Sequence, residues 1–496
     1  SEDSEIKYIY DGRRLKYSPK ILDRRIRLKP GERYSLGKIT ETQRSLGILD
    51  MFKFVNINPD TSQGHLNLHI YTTALDKYQI TDEIGFNVIQ GLPGPFVNVS
   101  LKTRNVFGGA EIFENSLRFA IDGQTSFSES DNFYSSQEIG INSSLTFPKI
   151  LFPISNNLRY RLNQFNPTTK LNLGFNYVRR PEYTRTTLAA SISYNGQLGY
   201  STYQFTLADL NLVNTREISD EFRTQLLELS NRSILESFDR ALVSSTYLVY
   251  TYNTNRGDER LKSQFIKFLI EGGGLSLSLL RGTSIIEENR ILGLKVFQYW
   301  RFNPSYHYYM PLGKKYHNLV FRVNLGVVRP FGGSSTLPYE KFFFAGGSTS
   351  IRAWQPRRLG PGAYQPPVNE DGTFDFSIEQ PGEILLEGNI EYRFPIFGYI
   401  RGALFLDAGN VWTFGEDSER PGSQFKFRSF LNQIALGSGF GIRFNLPFLL
   451  LRFDLGLKVY DPARRSDRRW VIRQFNPLRP FEQDFLLLNI GIGYPF

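Results

Sequence analysis

The chain has 496 residues, with 58 lysines and arginines against 48 acids, a formal charge of +10, and no cysteine. The missing cysteine removes disulfides, thiol catalysis and cysteine-ligated metal, and the four histidines, His65, His69, His307 and His317, are too scattered for a metal set. Aromatic residues reach 15%, mean hydropathy is −0.30, and no run of about 18 apolar residues marks a transmembrane helix.

Two all-β classes fit such a composition. One is a large soluble protein; the other is a transmembrane barrel, in which lipid-facing and lumen-facing residues alternate and the averages cancel. The basic residues are dispersed among acids, which argues against a nucleic-acid surface. Their nearest approach to a cluster, Arg464, Arg465, Arg468, Arg469 and Arg473, reads as a loop facing water or anionic lipid headgroups. Ser1 onward shows no secretory signal pattern, so the chain reads as a mature or truncated form.

Residues 1–76 read as a small α+β module of order β-α-α-β-β. Ile6–Tyr10 is the first strand. Ser18-Pro19 opens a helix with an N-cap and a proline at its first position, and Lys29-Pro30-Gly31 ends it. Ser35 opens a second helix, with Leu36, Ile39, Gln43 and Leu46 on one face. Phe52, Phe54 and Ile57 start a strand. A turn over Asn58–Gly64 leads to Leu66, Leu68 and Ile70. His65 and His69 fall in this extended run, where an i, i+4 spacing does not bring side chains together.

Beyond residue 77 the sequence alternates apolar and polar residues in segments broken by Gly, Pro, Asn, Asp and Ser. Sixteen strands are expected: 79–89, 95–106, 111–122, 134–147, 168–179, 184–196, 200–212, 242–253, 261–275, 292–311, 315–329, 381–395, 398–410, 430–445, 448–460 and 484–496. An even count suits a barrel with both chain ends on one side of the membrane. The long connections, 213–241, 276–291, 330–380, 411–429 and 461–483, then fall on the far side, as barrel architecture asks. The segment 148–167 breaks this parity, being long on the near side. The segment 213–241 has room for a short surface helix.

The last strand alternates most clearly. Leu486, Leu488, Ile490, Ile492, Tyr494 and Phe496 fall on one face, as a lipid-facing row ending in interfacial aromatics would, and Tyr494 and Phe496 have the look of an outer-membrane targeting signal. A second feature is Phe342-Phe343-Phe344-Ala345-Gly346-Gly347-Ser348-Thr349-Ser350-Ile351-Arg352-Ala353-Trp354, one arginine and one tryptophan in a glycine-rich stretch. In Asn389–Pro395 and Phe405–Trp412, strand parity turns Glu391 and Asp407 away from lipid.

With these residues in view, the chain resembles the outer-membrane assembly superfamily that includes BamA and TamA. The resemblance spans nearly the whole chain and is most specific over Phe342–Pro361 and Glu383–Trp412. It implies a POTRA-like periplasmic module over 1–76, then a 16-stranded barrel over 77–496 whose sixth extracellular loop is 330–380. The family's sixth-loop signature is Arg-Gly-aromatic after a Gly-Gly stretch; Gly346, Gly347, Ile351, Arg352 and Trp354 match it, with Ala353 where glycine is usual. In the family this arginine reaches into the lumen, and the resemblance implies that Arg352 pairs with Glu391 and Asp407.

The resemblance also implies a lateral gate between the first and last strands. Ile84 and Phe86 stand on one side of it; Gly491, Gly493 and Pro495 weaken the other, since glycine loosens a strand and proline removes a ladder bond. A rigid turn, Gln90–Pro95, follows the first strand. The expected role is a non-enzymatic insertase or translocase in the bacterial outer membrane, without cofactor or metal. Its implied partners are outer-membrane lipids, client outer-membrane or surface proteins, and periplasmic or lipoprotein accessory subunits, with no nucleic acid. A two-partner-secretion pore is the alternative. A barrel phospholipase would need a nucleophile–base pair, and no histidine is seen beside a suitable serine.

Overall fold

The computed structural model describes residues 6–496 except 11–15, 62–65, 90–91, 123–135, 182, 221–222, 225–239, 256, 276–285, 288–289, 292–293, 314–315, 369–378, 448 and 476–484. The chain opens with α1 (Pro19–Arg25) and α2 (Leu36–Gly47), followed by a hairpin of β1 (Phe52–Asp60) and β2 (Asn67–Ala74). Proline starts α1 as the sequence predicts, and the Ser35 hydroxyl caps α2 by accepting from the Lys38 amide. Ile21, Leu46, Leu49, Met51 and Val55 form the core of this module. Leu36, expected on the buried face of α2, is 67% exposed; the face that packs carries Ile39, Thr42, Ser45 and Leu46.

The strand expected over Ile6–Tyr10 does not form. The Tyr8 hydroxyl bonds the Asp23 carboxylate on α1, which ties this stretch to a helix instead of a sheet edge. The first helix also ends earlier than Lys29: Ile26 is extended, and the Arg27 amide donates to the Thr42 hydroxyl of α2 instead of back into α1. His65 lies outside the described residues, and no group of potential metal ligands occurs among those described.

The rest is one closed antiparallel barrel. Its long strands are β3 (Tyr78–Ile89), β4 (Leu92–Arg104), β5 (Ile112–Asp122), β6 (Ser136–Phe147), β7 (Thr168–Arg179), β8 (Thr184–Leu198), β9 (Ser201–Arg216), β10 (Ala241–Asn253) and β11 (Ser263–Gly273). Three short pieces follow, β12 (Ile286–Glu287), β13 (Arg290–Ile291) and β14 (Leu294–Val296). The series ends with β15 (Tyr299–Pro311), β16 (Asn318–Pro330), β17 (Ile384–Phe397), β18 (Ile400–Trp412), β19 (Ala435–Asn445), β20 (Leu450–Tyr460) and β21 (Leu486–Ile492). Each of the sixteen expected strands has its long counterpart. The largest boundary shifts are at 292–311, which splits into β14 and β15, and at 430–445, where a 3₁₀ turn over Phe430–Gln433 precedes β19. No helix among the described residues is long and apolar enough to cross a membrane.

The prolines expected to stiffen a turn stand inside β4. Val88 pairs with Pro93 and Phe86 with Pro95, whereas β5 first meets β4 at Phe96. The prolines thus occupy the part of β4 that projects beyond β5, where the missing N–H disturbs no second ladder.

The unexpected length of 148–167 has a structural cause. It contains α3 (Asn156–Asn163) and forms the seat of the N-terminal module. Arg25 Nη2 donates to the carbonyls of Pro148 and Pro167 at 3.1 and 3.3 Å, and Arg27 Nη2 to Asn163 O at 2.9 Å and Asn166 Oδ1 at 2.6 Å. Other turns on the same rim join in: Arg44 donates to Gly199 O at 2.7 Å, and Asn105 Nδ2 to Lys16 O at 2.8 Å. Asp50 receives Lys102 Nζ at 3.0 Å and Arg104 Nη2 at 3.2 Å from β4. Every contact falls on the rim reached by most of the short turns, where 148–167 is the longest connection; the other rim carries the long loops and two short connections, after β3 and after β7. The helix considered for 213–241 falls largely on residues 225–239, outside the described residues.

Candidate functional site

The connection between β16 and β17 folds back into the barrel. Ile351, Ala353, Trp354 and Leu359 pack with Phe297, Tyr299, Val328 and Val411 as an apolar core on the luminal side of the wall. The tip is a tight turn: the Gly347 amide donates to Trp354 O at 2.9 Å, Ser350 N to Gly347 O at 3.0 Å and Trp354 N to Ile351 O at 3.1 Å. Gly346 and Gly347 have φ of +100° and +99°, which side-chain-bearing residues avoid. A Cβ on Gly346 would also strike the Gln355 carbonyl.

Ala353, which stands where the resemblance expects glycine, has no positive φ. Its methyl is received by the barrel wall: a Cβ on Gly437 of β19 would lie 2.8 Å from the Ala353 Cβ. Gly456 of β20 in turn leaves room for the Arg352 carbonyl. At the Arg352–Ala353 tip, glycines on the wall provide the close approach.

Arg352 is fully buried. Its Nε and Nη2 grip both oxygens of Asp407, at 2.9 and 2.8 Å, and its backbone amide adds a third bond at 3.1 Å. Nη1 donates to Glu391. The guanidinium lies 3.5 Å from the centre of the Phe405 ring, which explains why a large aromatic occupies an inward position on β18. Forked, charge-assisted bonding to a carboxylate combined with stacking suits arginine and not lysine.

The pair belongs to a larger network. Glu391 also accepts from Arg393 Nε at 2.7 Å and lies 3.0 Å from Arg443 Nη2. Asp454 lies 2.8 Å from Arg452 Nη1, 3.3 Å from Arg443 and 3.6 Å from Arg352. Arg322 bonds Glu387 at 3.0 Å and Asn389 Oδ1 at 2.9 Å, and Asn389 Nδ2 donates to Asp407 and to the Ser350 carbonyl, both at 2.8 Å. The alternation of cations and carboxylates offsets part of the cost of burying these charges. Two contacts extend the loop tip to the last two strands: Asn489 Nδ2 of β21 donates to Arg352 O at 2.8 Å, and Arg452 Nη1 of β20 to Ser348 O at 2.7 Å. The loop tip thus bridges β17 and β18 to β20 and β21. Inward parity on β17 and β18 signals Glu391 and Asp407 in the sequence, but Asp454, Arg443 and Asn489 lie on strands no motif marks.

The seam residues fall out differently. Ile84 and Phe86 face outward on β3, 80% and 62% exposed. Gly491 faces the lumen, with the Arg452 guanidinium where a Cβ would stand. The expected lipid-facing row stops at Ile492. Gly493 has φ +78° and reverses the chain, so Tyr494, Pro495 and Phe496 turn into the lumen. Arg393 stacks 4.1 Å from the Tyr494 ring centre, the Tyr494 hydroxyl donates to Glu259 at 3.0 Å, and Arg393 Nη2 donates to Phe496 O at 3.2 Å. These cations draw the aromatics off the lipid face.

His307 does have a serine neighbour: Ser305 Oγ lies 3.0 Å from its Nε2. Its other nitrogen faces the Tyr309 hydroxyl at 3.5 Å, and the rings of Phe265 and Phe496 flank it. A hydroxyl in place of an orienting acid does not make a hydrolytic triad.

A model of the Omp85 superfamily domain matches residues 97–476. Over 135 residues the chain is 27% identical to the outer membrane protein assembly factor BamA of Neisseria meningitidis serogroup B, a match covering 26% of this chain and 16% of that protein. The crystal structure of BamA from Haemophilus ducreyi lacking POTRA domains 1–3 superposes with a TM-score of 0.58 at 16% identity, over 91% of this chain and 79% of that one. CdiB from Escherichia coli superposes with a TM-score of 0.52 at 11% identity, over 96% and 74%. Both structures share the fold.

Proposed function

Since the chain belongs to the Omp85 superfamily, whose members are outer-membrane β-barrels, we propose that it inserts or translocates proteins at that membrane through a lateral gate between β3 and β21. One observation carries this reading. The strands that close the barrel are unequal, seven residues in β21 against twelve in β3, so 12 − 7 leaves at least five residues of β3 without a β21 partner.

Unpaired N–H and C=O groups at membrane depth are costly, because lipid offers no hydrogen bonds. An incoming strand satisfies them by β-augmentation. Such a cycle needs no nucleotide, cofactor or catalytic residue; the folding free energy of the client drives it. On this reading residues 1–76 are a POTRA-like module facing the periplasm, 77–496 are the barrel, and 330–380 are its sixth extracellular loop. Arg352, Glu391 and Asp407 latch that loop inside. Gly493 and the tail it turns inward form the movable side of the gate. Clients are outer-membrane or surface proteins, and accessory periplasmic or lipoprotein subunits dock on the module.

Depletion of the protein followed by outer-membrane proteomics tests the assignment. Loss of several barrel proteins is expected. Unchanged barrels with loss of a single secreted protein would assign the chain instead to a two-partner-secretion pore.

A further inference from the structure

A cavity of about 370 Å³ opens where the N-terminal module meets the barrel rim. Lys20 and Arg24 of α1 enter it from the module, and Lys149 and Arg159 from the 148–167 segment; Ile21 and Leu151 give it an apolar floor. Among the described residues none of these four cations has a salt bridge, and the Arg159 Nε is buried with no hydrogen-bond partner. The wall at Gly109 is backed by Glu111, but that carboxylate already accepts from the Phe107 and Gly109 amides at 3.1 and 3.0 Å. Four cations around a cleft in which no free acid stands among the described residues describe an anion site, and its apolar floor asks for a ligand with a greasy body.

Its position tells which anion. Phe147 ends β6 two residues before Lys149, and its ring stacks on Phe107, 6.5 Å between centres, with Phe107 69% exposed. Phe152, also exposed, meets Tyr194 edge-on at 6.3 Å. Aromatics of this kind sit at the headgroup level of a membrane, so the cavity lies at the same depth as lipid phosphates. We propose that it binds the phosphodiester headgroup of an anionic phospholipid from the module-side leaflet, with the acyl chains running along Leu151 and the Phe107–Phe147 pair. The phosphate then bridges α1 to the 148–167 segment and staples the module to the barrel. The inference needs the barrel in its membrane but not the gate, so lipid binding and client insertion are separate readouts.

Native mass spectrometry of the purified protein in mild detergent, titrated with dioleoyl phosphatidylglycerol, tests it. The expected result is one lipid retained by the unaltered protein, with affinity at least tenfold lower in Arg24→Ala/Arg159→Ala. Arg465→Ala/Arg468→Ala, which removes equal charge from the other rim, retains it. Lys20→Ala/Lys149→Ala serves as the second variant should the first fail to fold, as judged by circular dichroism. Equal retention by the cavity variants and the unaltered protein would overturn the proposal. So would displacement by an equal concentration of inorganic phosphate, which would make this a soluble-anion site, or by hexaglutamate, which would assign it to an acidic protein partner.

Discussion

At the scale of single residues, Arg352 holds the interior together. Arg352→Ala leaves the fully buried Asp407 without a cation beside an empty space, while Glu391 keeps Arg393 and Arg443. Breaking a buried pair on one side costs about 3–5 kcal/mol, so this variant should melt well below the unaltered protein and expose the loop to protease. Arg352→Lys should recover only part of the loss, since an ammonium cannot hold both Asp407 oxygens while stacking on Phe405. Ala353 behaves oppositely. Ala353→Gly should change stability by under about 1 kcal/mol, because no positive φ is demanded there, whereas Ala353→Val should destabilise by about 1–3 kcal/mol by driving methyls into Gly437.

Glu379, in the same loop and bonded to Arg357 at 3.2 Å, gives a pH dependence. Burial pushes its carboxyl from 4.5 up to about 7, against the opposing pull of the Arg180 charge. A raised folded pKa means that folding takes up a proton between these values, so the contribution of Glu379 is full below about 4.5 and is lost as pH rises through about 7. Melting temperatures measured across this window should fall more steeply in the unaltered protein than in Glu379→Gln.

At the scale of elements, the segment 148–167 decides how freely the module moves. Arg27 anchors it through Asn163 and Asn166, and Ser45 of α2 meets the same Asn166 side chain. Arg27→Ala combined with Asp50→Ala should broaden the distance distribution between spin labels on α2 and on the β7–β8 connection while leaving the barrel strands intact; an unchanged distribution would show that other contacts suffice. Strand existence was the most legible feature of the sequence, because a lipid face and a lumen face impose a period of two on every wall strand. The docking helix α3 was not legible. None of its eight residues, NNLRYRLN, is fully buried, so no apolar stripe announces it. The C-terminal tail misled for a related reason. Tyr494 and Phe496 continue the alternation, but a local reading cannot see Arg393 across the lumen, and only the reversal at Gly493 separates the two outcomes.

At the scale of the whole molecule, the wall and the interior obey different rules. The wall is continuous hydrogen bonding around the circumference, closed between β3 and the seven-residue β21. The interior is a folded loop whose charges reach the last strand through Asn489. The inward-facing Glu391 and Asp407 were legible from strand parity once the loop motif was recognised. Arg443, Asp454 and Asn489 were not, because they are brought together by barrel closure and share no sequence neighbourhood with the motif. Seam and loop are therefore linked mechanically: a displacement of β21 strains the Arg352 carbonyl contact, and release of the loop frees one restraint on β21.

The absence of native cysteine makes the central claim directly testable. Single cysteines scanned along β3 against one at Leu488 will locate a pair that forms a disulfide across the seam in the membrane. Locking that pair should abolish assembly of client proteins, and reduction should restore it. Full client assembly with the seam quantitatively cross-linked would contradict lateral opening and the proposed mechanism with it.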